Sequence, residues 1–164
     1  VCDKNNDTTS TKVKPNESLV LLPQDKAYAT KFEQIILQQY VPAYYKVGDG
    51  KFYSSTKEHG TPCLECVWCL DTERPRRVFF SGIDSFVNNF THLESHLMSK
   101  CPKCPVSIKN QIEKNRGDVA RSERKELKRK AERQGIDVSR RTYVSILWKR
   151  IMKRSANVNK SVAG

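Results

Sequence analysis

The side chains of this chain best suited to chemistry are thiols and imidazoles. Six cysteines stand at positions 2, 63, 66, 69, 101 and 104, and five of them fall in two tight groups. Cys66-x-x-Cys69 is followed after 26 residues by His96, and after four more by Cys101. A zinc ion needs four sulfur or nitrogen ligands at tetrahedral corners. A Cys-x-x-Cys step on a hairpin supplies two of them from one turn. A His near a helix end, with a Cys just past that end, supplies the other two. Four protein ligands make a closed structural site, whereas a catalytic zinc keeps one corner for water. A secreted disulfide framework would spread its bridges along the chain, so two short Cys-x-x-Cys steps set well apart read as metal binding.

The ligand set has alternatives. Cys63-x-x-Cys66 is itself a two-ligand step, and Cys66, Cys69, Cys101 and Cys104 would also make a four-cysteine ribbon. His96 is preferred because it lies at the edge of an apolar helical stripe, near the helix C-terminus. His92 lies farther from that stripe and reads as a solvated histidine. The expected ligands are Cys66, Cys69, His96 and Cys101, with Zn2+ as the cofactor.

The segment Cys66-Val67-Trp68-Cys69 … Leu93-Glu94-Ser95-His96-Leu97-Met98-Ser99-Lys100-Cys101 resembles the BED-type zinc finger. That family couples Cys-x-x-Cys to a distant Leu-x-x-His-Leu helix motif and then a His or Cys a few residues later. Phe52 and Tyr53 upstream fit its layout. The resemblance covers residues 51–105 and implies DNA binding in a nuclear protein concerned with transcription regulation. Cys63, Cys104 and His92 depart from the family pattern.

Charge points to the same kind of partner. Thirty Lys and Arg against 18 Asp and Glu leave a net +12. Sixteen of those cations, against six acids, lie between Lys109 and Arg154. A surface this positive suits an acidic polymer, and neutralised phosphates would release counterions. The expected nucleic-acid contacts are Arg74, Arg76, Arg77, Lys100 and Lys103 beside the finger, with Arg124, Lys125, Lys128, Arg129 and Lys130 in the basic tail. DNA is favoured over RNA, although charge alone supports both. The blander reading of the tail is a solvated linker that doubles as a nuclear import signal around Lys128-Arg129-Lys130. A protein-interaction module scaffolded by zinc, with a partner on the C-terminal helix, is the other alternative.

Enzyme motifs are missing. His92-Leu93-Glu94 and Pro62-Cys63-Leu64-Glu65-Cys66 resemble zinc deaminase fragments, but in the reverse of the order that chemistry requires. No phosphate-binding Gly-x-x-x-x-Gly-Lys, Gly-x-Ser-x-Gly elbow or His-Glu-x-x-His occurs. A binding module rather than an enzyme is expected.

Several elements must position these residues. Tyr28, Phe32, Ile35, Ile36 and Tyr40 share a helical stripe over 25–41, which Pro42 should end. Val67–Leu70 and Val78–Phe80 suit two short strands. Ser81 with Asp84 looks like a capping box opening a helix whose core stripe is Ile83, Phe86, Val87, Phe90, Leu93 and Leu97. Further helices are expected over 106–115, 118–134 and 139–153, the last amphipathic, with 155–164 frayed.

The chain is 164 residues long with 37% apolar and 29% charged residues, a composition that argues against one large core. Residues 1–18 have almost nothing to bury and read as disordered. No apolar run approaches the roughly 20 residues that span a bilayer, so no membrane partner is expected. The division expected is a tail over 1–23, a helix and turn over 24–50, a finger over 51–108 and a basic helical tail over 109–164. The fold class is α+β: a small zinc-stabilised finger, hairpin plus helix, flanked by helices.

Overall fold

A computed structural model of the chain describes residues 20–46, 48–49 and 58–162. The expected tail over 1–18 and the extended piece at Phe52 and Tyr53 lie outside the described residues. The fold is α+β. A short 3-10 turn, Pro23–Ala27, leads to α1 (Lys31–Leu37) and β1 (Tyr40–Tyr44). The strands β2 (Pro62–Cys66) and β3 (Arg77–Phe79) follow, then α2 (Ile83–Ser95), α3 (Val106–Asn115), α4 (Asp118–Arg133) and α5 (Arg140–Val162). The sheet is antiparallel in the order β1-β2-β3, with Tyr40 opposite Cys66 and Glu65 opposite Arg77. Among the described residues, no helix is long and apolar enough to cross a membrane.

The expected single helix over 25–41 is two helical pieces and a strand. Thr30 restarts the helix with a capping box: its hydroxyl accepts from the Glu33 N–H, and the Glu33 carboxylate accepts from the Thr30 N–H at 2.8 Å. The chain then turns extended after Gln38, and Pro42 sits inside β1 rather than at a helix end. β1 is an edge strand, and an edge tolerates a residue with no N–H to give.

The first expected strand is also displaced. β2 ends at Cys66, and Val67–Cys69 is a 3-10 turn. The Val67 N–H donates to Gln39 O and the Cys66 N–H to Arg76 O, each in register with its ladder, so the 3-10 turn starts where the sheet's hydrogen bonds end. The second strand stands nearly where it was expected. At α2 the Ser81–Asp84 box does not form: Gly82 is the N-cap with no side-chain cap, and Ser81 is exposed. Asp84 lies instead in the first turn, where its charge favours the helix dipole.

α3 and α4 fall close to their expected bounds. Gly117, at φ +67°, makes the reversal between them, a backbone conformation that L side chains rarely adopt. α4 closes with Gly135 at φ +67° while the Ile136 N–H donates to Ala131 O, a Schellman ending. α5 runs past the expected Lys153 to Val162. Ser155, expected in the frayed end, is buried and donates to Ala43 O at 2.8 Å, tying α5 to β1.

One core cluster joins the sheet to α1, α2, α3 and α5, where composition suggested none so large. Ile35, Ile36, Leu37 and Tyr40 meet Leu64, Phe86, Phe90, Leu93 and Leu97, together with Ile112, Tyr143, Val144, Leu147 and Ile151. Burying such side chains stabilises by about 1.5–3 kcal/mol each before entropy is counted. Two arginine clamps lock the periphery. Arg150 holds Asp25, which is 1% exposed, and the Val20 carbonyl. Arg124 holds Glu33 and the Tyr28 carbonyl.

Candidate metal centre

Cys66, Cys69, His96 and Cys101 are buried together, and their ligand atoms all lie within 4.8 Å of one another. Cys69 Sγ is 3.4 Å from Cys101 Sγ and 3.3 Å from His96 Nε2, and Cys66 Sγ is 4.0 Å from Cys101 Sγ. A disulfide would require about 2.05 Å. Ligands about 2.3 Å from a tetrahedral zinc stand about 3.8 Å apart, and the observed sulfur separations straddle that edge length.

Local backbone explains how residues so far apart in sequence converge. The 3-10 turn folds Cys69 back toward Cys66. On the other side, His96–Lys100 continues α2 as a π-helical turn, and the Cys101 N–H donates to His96 O at 2.7 Å. An ordinary α-helix turns about 100° per residue, which would leave residues five apart on different faces. The wider i to i+5 turn brings Cys101 round to the side of His96. Tyr40, fully buried in β1, donates from its hydroxyl to Leu93 O at 2.9 Å, pinning the last turns of α2 to the sheet. Gln39 accepts from the Trp68 indole at 3.1 Å and steadies the turn between the two sulfurs. Thr72 donates to Cys69 O at 2.7 Å.

The electrostatics suit a cation. Burial raises the Cys66 thiol above its ordinary range, and the neighbouring Cys69 and Cys101 raise it further. The Trp68 backbone N–H opposes this by bonding the sulfur. Burial likewise raises Cys69, against a hydrogen bond from the Arg76 backbone N–H. Thiolates packed this closely hold their charge together only beside a cation, and N–H groups aimed at sulfur are the usual outer support of thiolate ligands. Burial, with Arg76 and then Lys100, lowers His96 to about 4, so its ring is the neutral form a metal needs.

The spare candidates fall outside the cluster. Cys63 is three residues from Cys66 on β2, and strand alternation puts it on the opposite face, beside Arg77 and Glu65. Cys104 is buried, but its sulfur contacts Pro105 O at 3.9 Å. His92 is exposed.

The basic candidates divide. Cys69 and His96 form part of the wall of a groove of about 590 Å3, which Arg74, Arg76 and Lys100 also line. Lys103 is exposed nearby in sequence. Arg77 was expected at a nucleic-acid surface but is 7% exposed and forks between Glu65 and Asp49. Arg124 is likewise engaged inside the fold through Glu33 and Tyr28. Lys125, Lys128, Arg129 and Lys130 are exposed on α4. Lys128 pairs with Glu132, while Arg129 and Lys130 share Glu126.

Tyr40, Gln39 and Thr72 support the site with no motif to mark them. In sequence Tyr40 fits a helical stripe, and no local signal marks its hydroxyl as a tether. The fold and site together define a small α+β chain with a buried Cys3His cluster suited to a metal ion. Comparison with protein-family models, with curated proteins and with solved structures finds no significant match.

Proposed function

We propose that this chain is a zinc-stabilised DNA-binding module of a nuclear protein, acting in transcription regulation. One observation carries the reading: the buried cluster of Cys66, Cys69, His96 and Cys101 puts Cys69 and His96 in the wall of a groove that Arg74, Arg76 and Lys100 also line. Three sulfurs and one imidazole select a borderline-soft ion, and four protein ligands in a buried cluster leave no corner for substrate water. The ion is then structural and holds the hairpin against the end of α2. The cations around it supply contacts to phosphate, which position a protein on nucleic acid. The resemblance to BED-type fingers points to DNA as the polymer.

A partner on the C-terminal helix has less support. Tyr143, Val144, Leu147 and Ile151, the apolar side of α5, are already buried within the fold.

The experiment is a binding titration of the zinc-loaded chain against a labelled DNA duplex at several salt concentrations, with structured RNA as competitor. Affinity that falls steeply with salt and vanishes after chelation supports the reading. Preference for the RNA moves the function to a ribonucleoprotein. Salt-independent retention of a protein, with no nucleic-acid affinity, sinks the reading.

A further inference from the structure

The groove beside the cluster has two walls from different parts of the chain. Thr72, Glu73, Arg74, Pro75 and Arg76 come from the loop between β2 and β3, while Lys100 and Pro102 come from the π-helical turn and the residues after it. Within the groove, Cys69 on the loop side and His96 on the helix side meet, with Sγ and Nε2 3.3 Å apart. Both belong to the Cys3His cluster.

Arg76 and Lys100 line the same groove, one from each wall. Arg76 is half-buried, and its Nε is shut from solvent with no hydrogen-bond acceptor. That fixes one edge of the guanidinium inward and leaves the rest of the side chain to line the groove. Lys100 is exposed. Three thiolates with one divalent zinc carry a single negative charge. Arg74, Arg76 and Lys100 line the groove with one carboxylate, Glu73, so cations outnumber acids in its lining. Pro75 and Pro102 give it apolar flanks against which a sugar can lie. Its volume of about 590 Å3 falls within the range of about 300–1,000 Å3 seen for small-molecule pockets.

We infer that Arg76 and Lys100 together grip one phosphate of the bound nucleic-acid strand, and that the metal sets their spacing, so that phosphate affinity at this groove is linked to metal occupancy. The inference rests on the nucleic-acid reading above and deepens it. Two cations on one phosphate act as a unit. Removing either loses most of the contact, and removing both loses little more. The shared phosphate contributes about 0.9 to the slope of log K against log salt.

The test uses the zinc-loaded 164-residue chain and its Arg76→Gln, Lys100→Gln and double variants, with Lys26→Gln as a control of equal charge loss. Lys26 is exposed on the turn before α1. Labelled duplex DNA is titrated at several salt concentrations. The expected result is a loss of about tenfold for each single variant and nearly the same for the double. All three salt slopes should be shallower by about 0.9, while Lys26→Gln changes the affinity less than twofold. Chelated wild-type chain should bind no better than the chelated double variant. Cobalt substitution reports whether each variant keeps its metal site. If Arg76→Gln loses the thiolate-to-cobalt band, Lys100→Gln, which alters only an exposed side chain, decides.

Three results overturn the inference. Variants that match the wild type leave DNA binding standing but place the phosphate elsewhere. Additive losses, with the slope of the double reduced by about 1.8, mean two separate phosphates. Wild-type chain that binds no DNA at all removes both this inference and the reading it rests on.

Discussion

Cys69 Sγ and Cys101 Sγ stand 3.4 Å apart, although 32 residues separate them in the chain. Cys69 closes the 3-10 turn after β2, and Cys101 follows the π-helical turn at the end of α2. Two buried thiols this close repel as they ionise, and burial already raises Cys69. A divalent ion reverses the sign of that interaction and becomes a cross-link between sheet and helix. The purified chain is therefore expected to hold about one zinc, and apparent binding energies of structural zinc are on the order of 10–16 kcal/mol. Chelation should lower the thermal midpoint by more than about 10 °C, given about 2–4 °C per kcal/mol at this size. Cys69→Ser should do the same without chelator, while Cys63→Ser should keep the ion. Elemental analysis with calorimetry checks this. An unshifted midpoint after complete metal removal would show that the four residues are merely packed together.

The imidazole gives the metal-free chain a pH signature. His96 is held down to about 4 from 6.5, first by burial and then by Arg76 and Lys100. A depressed pKa contributes stability that is present above the unfolded value and is lost as pH falls through the folded one. The loss should therefore develop from about pH 6.5 down to about pH 4 and reach at most about 3 kcal/mol. Urea denaturation of apo chain at pH 7, 5.5 and 4 measures it, with His96→Gln as the comparison. Carboxylates common to both chains cancel, so the two profiles should converge at low pH. Parallel profiles would mean that the ring titrates in solvent.

The clustering of Cys66, Cys69, His96 and Cys101 was legible because sulfur and imidazole have few other reasons to gather at short spacings around one helix end. The bounds of α3 and α4 were legible because Gly117 and Gly135 mark breaks that few other residues accommodate. The segment around Tyr40 was not. Ile35, Ile36 and Tyr40 fit a helical stripe, yet Tyr40 belongs to a strand, and only the pairing with β2, 26 residues on in the Tyr40–Cys66 register, makes it extended. Arg77 and Arg124 were indistinguishable by sequence from their surface neighbours. What separates them is the set of carboxylates Asp49, Glu65 and Glu33 that the fold brings to them.

Tyr40 offers a direct probe of how the sheet supports the site. Its hydroxyl bonds Leu93 O, one turn before His96. Tyr40→Phe keeps the ring and removes one buried hydrogen bond, a loss of about 0.5–1.5 kcal/mol. Because the bond holds the end of α2 in place, zinc affinity should fall as well, and removing outer support of ligands typically costs about 10–100-fold. Competition with a chromophoric chelator reads the affinity, and denaturant titration reads the stability. Reduced stability with unchanged zinc affinity would show that the ligands hold their own geometry.

Asp25 and Arg150 show what the N-terminal turn adds. Asp25 is 1% exposed, and both of its carboxylate oxygens meet the Arg150 guanidinium, 125 residues away. Removing one partner of a buried pair leaves the other charge uncompensated, which costs about 3–5 kcal/mol. Asp25→Ala should therefore lower the thermal midpoint by about 10 °C or more. Replacing both residues with leucine should restore much of that loss. Calorimetry of the three chains checks it. Equal midpoints for Asp25→Ala and wild type would place the Pro23–Ala27 turn outside the cooperative unit.

Arg124 and Lys128 lie one turn apart on α4 and carry the same charge, yet they should behave differently. Arg124 reaches Glu33 and the Tyr28 carbonyl, with about a quarter of its side chain exposed at 26%. Lys128 is 73% exposed and meets Glu132 only at 3.8 Å. A partly buried clamp of this kind is worth about 1.5–3 kcal/mol in hydrogen bonds to charge, whereas an exposed pair is worth at most about 1. Arg124→Gln should destabilise the chain by about 1–3 kcal/mol and leave the salt slope of DNA binding unchanged, because its charge is already answered by Glu33. Lys128→Gln should leave stability within about 0.5 kcal/mol and, if α4 touches phosphate, make that slope shallower by about 0.9. The paired measurement separates cations that hold the fold from cations that meet a ligand. An Arg124→Gln chain as stable as wild type, with weaker DNA binding, would return Arg124 to the nucleic-acid surface and leave α1 held by its apolar contacts alone.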